Sequence, residues 1–192
     1  MKVYFLVLFI ACLACKPDAV SEKGGNQEVE ANPIVTMSDT FAMKQAVLGF
    51  LSWYKNNYSE ANSFGLTYQD KQGNFHVSTV NCEKYLQFLK SSGYISDNYV
   101  QAWQKYFNDR AIYMDENLQS EGPPEGFEFD LVLITQEPEL MLNEIDKLQF
   151  AVSENDGKKA ILQVAGQFGY DFEMVKENGK WTIEYIATMN YD

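Results

Sequence analysis

The stretch YDFEMVKENGKWTIEYIA, residues 170–187, alternates apolar and polar side chains on both sides of Asn178-Gly179. A period of two is the pattern of a half-buried strand, and Asn-Gly supplies the two positive φ angles that a two-residue hairpin turn needs. Tyr170, Phe172 and Met174 on one arm, with Trp181, Ile183 and Tyr185 on the other, are expected to share one face. Asp171, Glu173, Thr182 and Glu184 then share the opposite one. One face is covered and the other wet, as in an antiparallel sheet packed on one side.

Upstream, KLQFAVSE (residues 147–154) and KKAILQVA (158–165) flank Asn155-Asp156-Gly157 and predict a second hairpin. Before the break at Gly122-Pro123-Pro124 the period becomes helical. Ser38 is a good N-cap for a first helix whose stripe is Val47, Leu51, Tyr54 and Tyr58. LTYQDKQGNFHVS (66–78) reads as a small hairpin turning at Gly73-Asn74. Asn81 can cap a second helix that Gly93 ends. Ser96 opens a third, with Val100, Trp103, Phe107, Ala111 and Met114 in helical register as far as about Leu118. Trp53, Trp103 and Trp181 all fall on core faces, where packing is the default role. Helices followed by an antiparallel meander define an α+β domain, with the helices packed on one side of a curved sheet.

The other end of the chain carries a different signal. Met1-Lys2 precedes an apolar run from Val3 to Leu13, shorter than the roughly 20 residues of a spanning helix, so residues 1–14 are expected to be a cleaved signal peptide. The stretch FIACLACKPD (9–18) resembles the lipobox of bacterial lipoproteins, which are cut before a cysteine that already carries a diacylglycerol. Cys12 has the better approach, Phe9-Ile10-Ala11, but would leave an unusually short signal. Cys15 lies at a more ordinary distance and is taken as the lipidated residue, with Cys12 the alternative. The resemblance implies a protein held to a membrane by its N-terminal lipid, most simply the outer membrane of a bacterial cell envelope, with its domain in the periplasm or at the cell surface.

Residues 16–37 have Pro, Gly-Gly, Asn and charges without period, so 15–37 reads as lipidated Cys and flexible tether, reaching roughly 25 Å. Residues 38–192 remain as one α+β domain, large enough to bury about two thirds of its unfolded surface. A cut at Cys15 discards Cys12 and consumes Cys15, which leaves Cys82 without a disulfide partner. The apolar core must supply the stability. The formal net charge of -12 repels phosphate backbones and anionic headgroups, so nucleic acid is excluded as a partner, and membrane attachment is assigned to the lipid.

Candidate chemistry is sparse. His76 is the only histidine, which excludes a multi-histidine metal site within one chain, and it reads as an exposed or edge-strand residue. Cys82 shares the apolar side of its helix with Tyr85, Leu86 and Leu89 and reads as a small buried hydrophobe. Neither SENDGKK (153–159) nor MDENLQSEG (114–122) has the spacing of a calcium loop, and Gly24-Gly25 lies in the tether. No cofactor is expected. Arg110 is the only arginine, and such a residue suits a bidentate carboxylate partner; Asp130 and Glu137 are the first candidates.

The segment EGPPEGFEFDLVLITQEPEL (121–140), together with FLSWYKNNY (50–58) and the final Trp-containing strand, resembles a family of bacterial envelope domains of unknown function, from about Phe41 onward. Asp130, Gln136 and Pro138 match the family segment, whereas position 137 is Glu where Asp is more usual. The resemblance implies the cystatin-like cone shared with ketosteroid isomerases, in which helices lie on the concave side of a bent antiparallel sheet. The catalytic set of those isomerases has no visible counterpart here. The expected function is a membrane-tethered, non-catalytic module that binds an envelope protein, peptide or glycan. The alternative is a small-ligand carrier or an enzyme using a carboxylate in the cone pocket. For that, Asp130 or Glu137 would be the base and Tyr54 or Tyr106 the hydrogen-bond donor. A plainer role for Asp130 and Glu137 is to brace the loop after the double proline.

Overall fold

The computed structural model describes residues 37–189. The expected signal peptide, Cys12, Cys15 and all of the tether but Met37 lie outside them. Four helices and a small hairpin come first: α1 (Met37–Asn56), the single turn α2 (Tyr58–Ala61), strands β1 (Thr67–Gln69) and β2 (Phe75–Val77), α3 (Thr79–Ser91) and α4 (Asp97–Glu116). A long connection leads to the short α5 (Pro138–Leu142) and a 3-10 turn at Ile145–Lys147. The strands β3 (Gln149–Asn155), β4 (Lys159–Ala165), β5 (Gly169–Glu177) and β6 (Lys180–Thr188) complete the chain. They form an antiparallel meander in the order β3-β4-β5-β6, and α1 and α4 pack against β6. The fold is α+β with its helices against the meander.

The β5–β6 turn is of the kind its sequence dictates, with φ of 51° at Asn178 and 80° at Gly179. Ala160, Leu162 and Val164 of β4 face Met174, Phe172 and Tyr170 of β5, all buried. Each fully buried side chain of this size adds about 2 kcal/mol of transfer free energy. On β6 the expected alternation fails halfway. A register shift sets Met174 opposite Ile183 but Glu173 opposite Tyr185, so an extra residue, Glu184, is inserted. The slip turns Tyr185 outward, 43% exposed, and brings Ile186 into the core instead. Thr182, expected on the wet face, is buried, and Glu184 is drawn to Lys159 and Asn98.

The helix starts also differ from their sequence signals. Ser38 lies inside α1, which runs from Met37, and does not cap it. Helix α3 begins at Thr79 with Ser78 at the cap position, and Asn81, already in the first turn, donates its side-chain amide to the Gly65 carbonyl at 3.0 Å. Ser96 does cap α4, its Oγ accepting from the Tyr99 amide at 3.1 Å, a contact worth about 1 kcal/mol. That cap is buried because the residues before it run alongside β6: the Ile183 amide donates to the Tyr94 carbonyl and the Ser96 amide to the Ile183 carbonyl. The edge of the last strand is thereby paired at its centre. Helix α1 is tied to the sheet by Asp39, whose Oδ1 accepts from Lys176 Nζ at 2.6 Å and from Trp181 Nε1 at 2.9 Å.

Candidate functional site

The connection from α4 to α5 is built to deliver Asp130 to the interior. Gln119 organises the double-proline turn: its Nε2 donates to the carbonyls of Glu121 and Pro123, and its Oε1 accepts from the Glu125 amide. Gly126 then passes under α4 with φ of 85°, where a Cβ would sit 2.5 Å from Arg110 Nε and 2.6 Å from Tyr106 Oη. Only glycine fits that approach. Tyr106 donates to the Gly126 carbonyl at 2.8 Å, and Phe127 stacks on Phe107 with ring centroids 6.0 Å apart.

At Asp130 the chain closes a tight loop. Oδ1 accepts from the amides of Val132 (3.0 Å) and Leu133 (2.7 Å), and Oδ2 accepts from the Tyr54 hydroxyl at 2.6 Å. The Asp130 amide donates to the Thr135 carbonyl, and Tyr170 donates to the Leu133 carbonyl. So pinned, the loop holds Ile134 at φ of 50°, a left-handed conformation that costs a β-branched residue on the order of 1–3 kcal/mol. Burial raises the Asp130 carboxyl above its ordinary value, against the lowering pull of Tyr54 and the two amides. Burial likewise raises the Tyr54 and Tyr85 hydroxyls far above theirs, so neither is an acid at neutral pH.

A cavity of about 170 Å³ opens beside Asp130, and Tyr54, Tyr85, Phe127, Phe129 and Asp130 are among the residues of its wall. A second recess, of about 320 Å³, is lined by Ala102, Trp103, Tyr106, Phe129, Ile134 and the outward Tyr185. Phe129 is the wall common to both. Two larger hollows, of about 590 and 660 Å³, run along α1, and neither has a buried ionisable group in its lining.

Of the residues singled out from sequence, Asp130 and Tyr54 reach the cavity. Gln136 and Glu137 are exposed. Glu137 stands at the cap position of α5 without a side-chain capping bond, and its amide, not its carboxylate, is engaged, with Thr135 Oγ1. Arg110 pairs with neither Asp130 nor Glu137. Its Nη2 meets Glu125 Oε1 at 3.1 Å, the other Glu125 oxygen accepts from Tyr113, and the guanidinium lies over the Tyr113 ring. Its Nε is buried without a partner. The double-proline turn returns Glu125 to α4, and sequence spacing alone does not show that return. Tyr106 serves Gly126 and not a carboxylate. Tyr85 and the two phenylalanines of the wall carried no sequence signal beyond apolar periodicity.

His76 is more engaged than its edge position suggested. Nδ1 lies 2.7 Å from Asp115 Oδ1 and Nε2 lies 3.2 Å from Asp70 Oδ2, with the ring stacked on Tyr68. Asp115, then Asp70, raise its pKa. Cys82 is buried, and burial pushes its thiol up to about 12, which suits packing and not nucleophilic attack. Among the described residues no three His, Cys, Asp or Glu side chains converge as a metal ion would need, and no helix is long and apolar enough to cross a membrane. No family model, curated protein or solved structure matches the chain.

Proposed function

We propose that the protein is a lipid-anchored, non-catalytic binding module of the bacterial cell envelope, attached through Cys15 and serving a protein, peptide or glycan partner. The lipobox, the tether and the acidic domain support the location. The observation that carries the non-catalytic reading is the use made of Asp130. A general base needs an accessible lone pair aimed at a substrate proton, and three of the four lone-pair positions of Asp130 are taken, two on Oδ1 by backbone amides and one on Oδ2 by the Tyr54 hydroxyl. The carboxylate is a brace. A second reading, carriage of a small ligand, is favoured by the cavity beside that carboxylate.

The test is the intact mass of the protein recovered from the membrane fraction of its own host, beside the same chain carrying Cys15→Ser. The expected species begins at Cys15 and carries acyl mass that the variant lacks. An unacylated mass would overturn the anchored reading, and acylation at Cys12 would move the cleavage site.

A further inference from the structure

The two edges of the four-stranded sheet differ. The outer edge of β6 is paired at its centre by Tyr94 and Ser96, whereas among the described residues no backbone group pairs with the outer edge of β3. Antiparallel pairing alternates, so the open groups of that edge can be assigned. The Lys176 amide donates to the Lys158 carbonyl, which makes these two a hydrogen-bonded pair. By alternation Ala160, Leu162 and Val164 also turn their backbone groups to β5, and Ile161, Gln163 and Ala165 turn theirs to β3. Ala151 and Gln149 meet Gln163 and Ala165, so Phe150 and Val152 direct their own N–H and C=O outward. Natural edges are often blunted by lysine, proline or other charge on the strand. Gln149 to Ser153 carry none of these, and the bulge in β3 lies after Val152.

Beside this edge runs the hollow of about 590 Å³. Lys44, Leu48, Ser52 and Lys55 of α1 line it with Leu148 and Phe150, and β4 contributes no residue. It therefore lies at the open edge and not beneath the sheet. The Phe150 ring turns toward α1, where Lys44 Nζ stands 5.0 Å from its centroid. A chain added to β3 would lay alternate side chains along α1. Charge says which chain. Neither Lys44 nor Lys55 has a carboxylate partner among the described residues, in a protein of net charge -12. The one acidic residue of the lining, Asp146, adjoins Lys147. Along α1 the two lysines are separated by about 16 Å. Side chains four residues apart on one face of a strand are separated by about 13 Å, a difference that lysine stems take up.

We propose that the open edge of β3 binds an extended acidic segment of a partner protein by strand addition, through the outward backbone groups of Phe150 and Val152. Lys44 and Lys55 select carboxylates four residues apart, and Leu48 and Leu148 take an apolar side chain midway between them. The inference names the partner's chemistry for the binding-module reading and rests on it, but it makes no use of the lipid anchor. Failure of the peptide test therefore leaves the mass measurement standing, and the reverse also holds.

The experiment titrates the full chain, as isolated from its host in a maltoside detergent, with the end-capped heptapeptide Thr-Glu-Thr-Val-Thr-Glu-Thr and with the same peptide carrying Gln for Glu. Calorimetry reads the affinity, and amide hydrogen exchange followed by NMR locates the site. The expected result is saturation below millimolar peptide, at least about threefold tighter with Glu than with Gln, and slowed exchange at the Phe150 and Val152 amides. The double variant Lys44→Gln, Lys55→Gln should bring the Glu peptide to the affinity of the Gln peptide. Two N-methylated versions, one modified at Glu and Val and the other at the central Thr residues, separate strand addition from simple lodging of side chains. One version should lose binding and the other keep it, because only alternate amides face β3. Loss with the Glu and Val set marks antiparallel addition, and loss with the Thr set marks parallel addition. No saturation at millimolar peptide, equal affinity for Glu and Gln, equal effects of the two methylated sets, or exchange slowed only elsewhere would each overturn the proposal. Protection of Phe150 and Val152 before peptide is added, with a dimer in sedimentation, would assign the edge to a second copy of the chain and overturn it as well.

Discussion

Asp130 and Asp70 make nearly the same hydrogen bonds and behave in opposite ways. Each fastens a turn by accepting two backbone amides on Oδ1, from Val132 and Leu133 in one case and from Gln72 and Asn74 in the other. Each offers Oδ2 to a side chain, the Tyr54 hydroxyl or the His76 ring. Yet the Asp130 carboxyl is raised by burial, whereas at Asp70 desolvation, the largest single cause, is outweighed by the sum of the Asn74 amide, His76, the Gln72 amide and the Asn74 side chain, and its carboxyl is lowered. Hydrogen-bond geometry is therefore not what distinguishes the two. The depth of the site and the sign of the partner are: Asp70 lies beside a group that can be a cation, while Asp130, half-buried deeper in the fold, faces a phenol.

The contrast is most sharply broken at Asp130. Asp130→Ala leaves two amides and the Tyr54 hydroxyl without their acceptor in a half-buried site and should cost about 3 kcal/mol in urea unfolding. Asp130→Asn keeps Oδ1 and should cost roughly half of that. A loss under about 1 kcal/mol for the alanine variant would show that the brace is not needed. Next in size is Tyr54→Phe. It should cost about 2 kcal/mol and, by removing the group that lowers it, move the Asp130 carboxyl further up, as followed by carbon NMR of that side chain. A carboxyl that stays put would place the control of its charge elsewhere.

The smallest effect belongs to the hairpin. With its folded pKa raised, His76 favours the folded state most fully below the ordinary histidine pKa, near 6.5, where both ring nitrogens donate to Asp70 and Asp115. That contribution is lost as pH rises through the folded value. Asp130 has a slope of the same sign at lower pH, since its folded pKa is also raised. Melting curves should show the wild type losing stability relative to His76→Gln as pH rises above about 6.5. Parallel curves would mean that the ring is held by stacking on Tyr68 and not by charge.

The meander was legible because local chemistry fixes it. Asn178-Gly179 can take two positive φ angles, and the alternation on either side has one sensible pairing. The bulge at Glu184 was not, since nothing between Trp181 and Ile186 marks the extra residue until β5 imposes its register. The candidate site divides in the same way. A carboxylate after a double proline, with Tyr54 as a possible donor, could be picked out from residue type. The bridge from His76 to Asp115, the return of Glu125 onto Arg110 and the gathering of Tyr85 and Phe129 at one cavity depend on how β2, α3, α4 and the long connection lie against one another, which no local pattern encodes.

The tie from Asp39 to Lys176 and Trp181 has a bearing on biogenesis. It spans 137 and 142 positions, so the first helix finds its partners only after nearly the whole chain has been made. Contacts this distant in sequence delay folding. Under the proposed envelope location the chain would be threaded unfolded through a translocon, and that delay would suit it: the leading helix would have no sheet to dock on until the last strand had crossed.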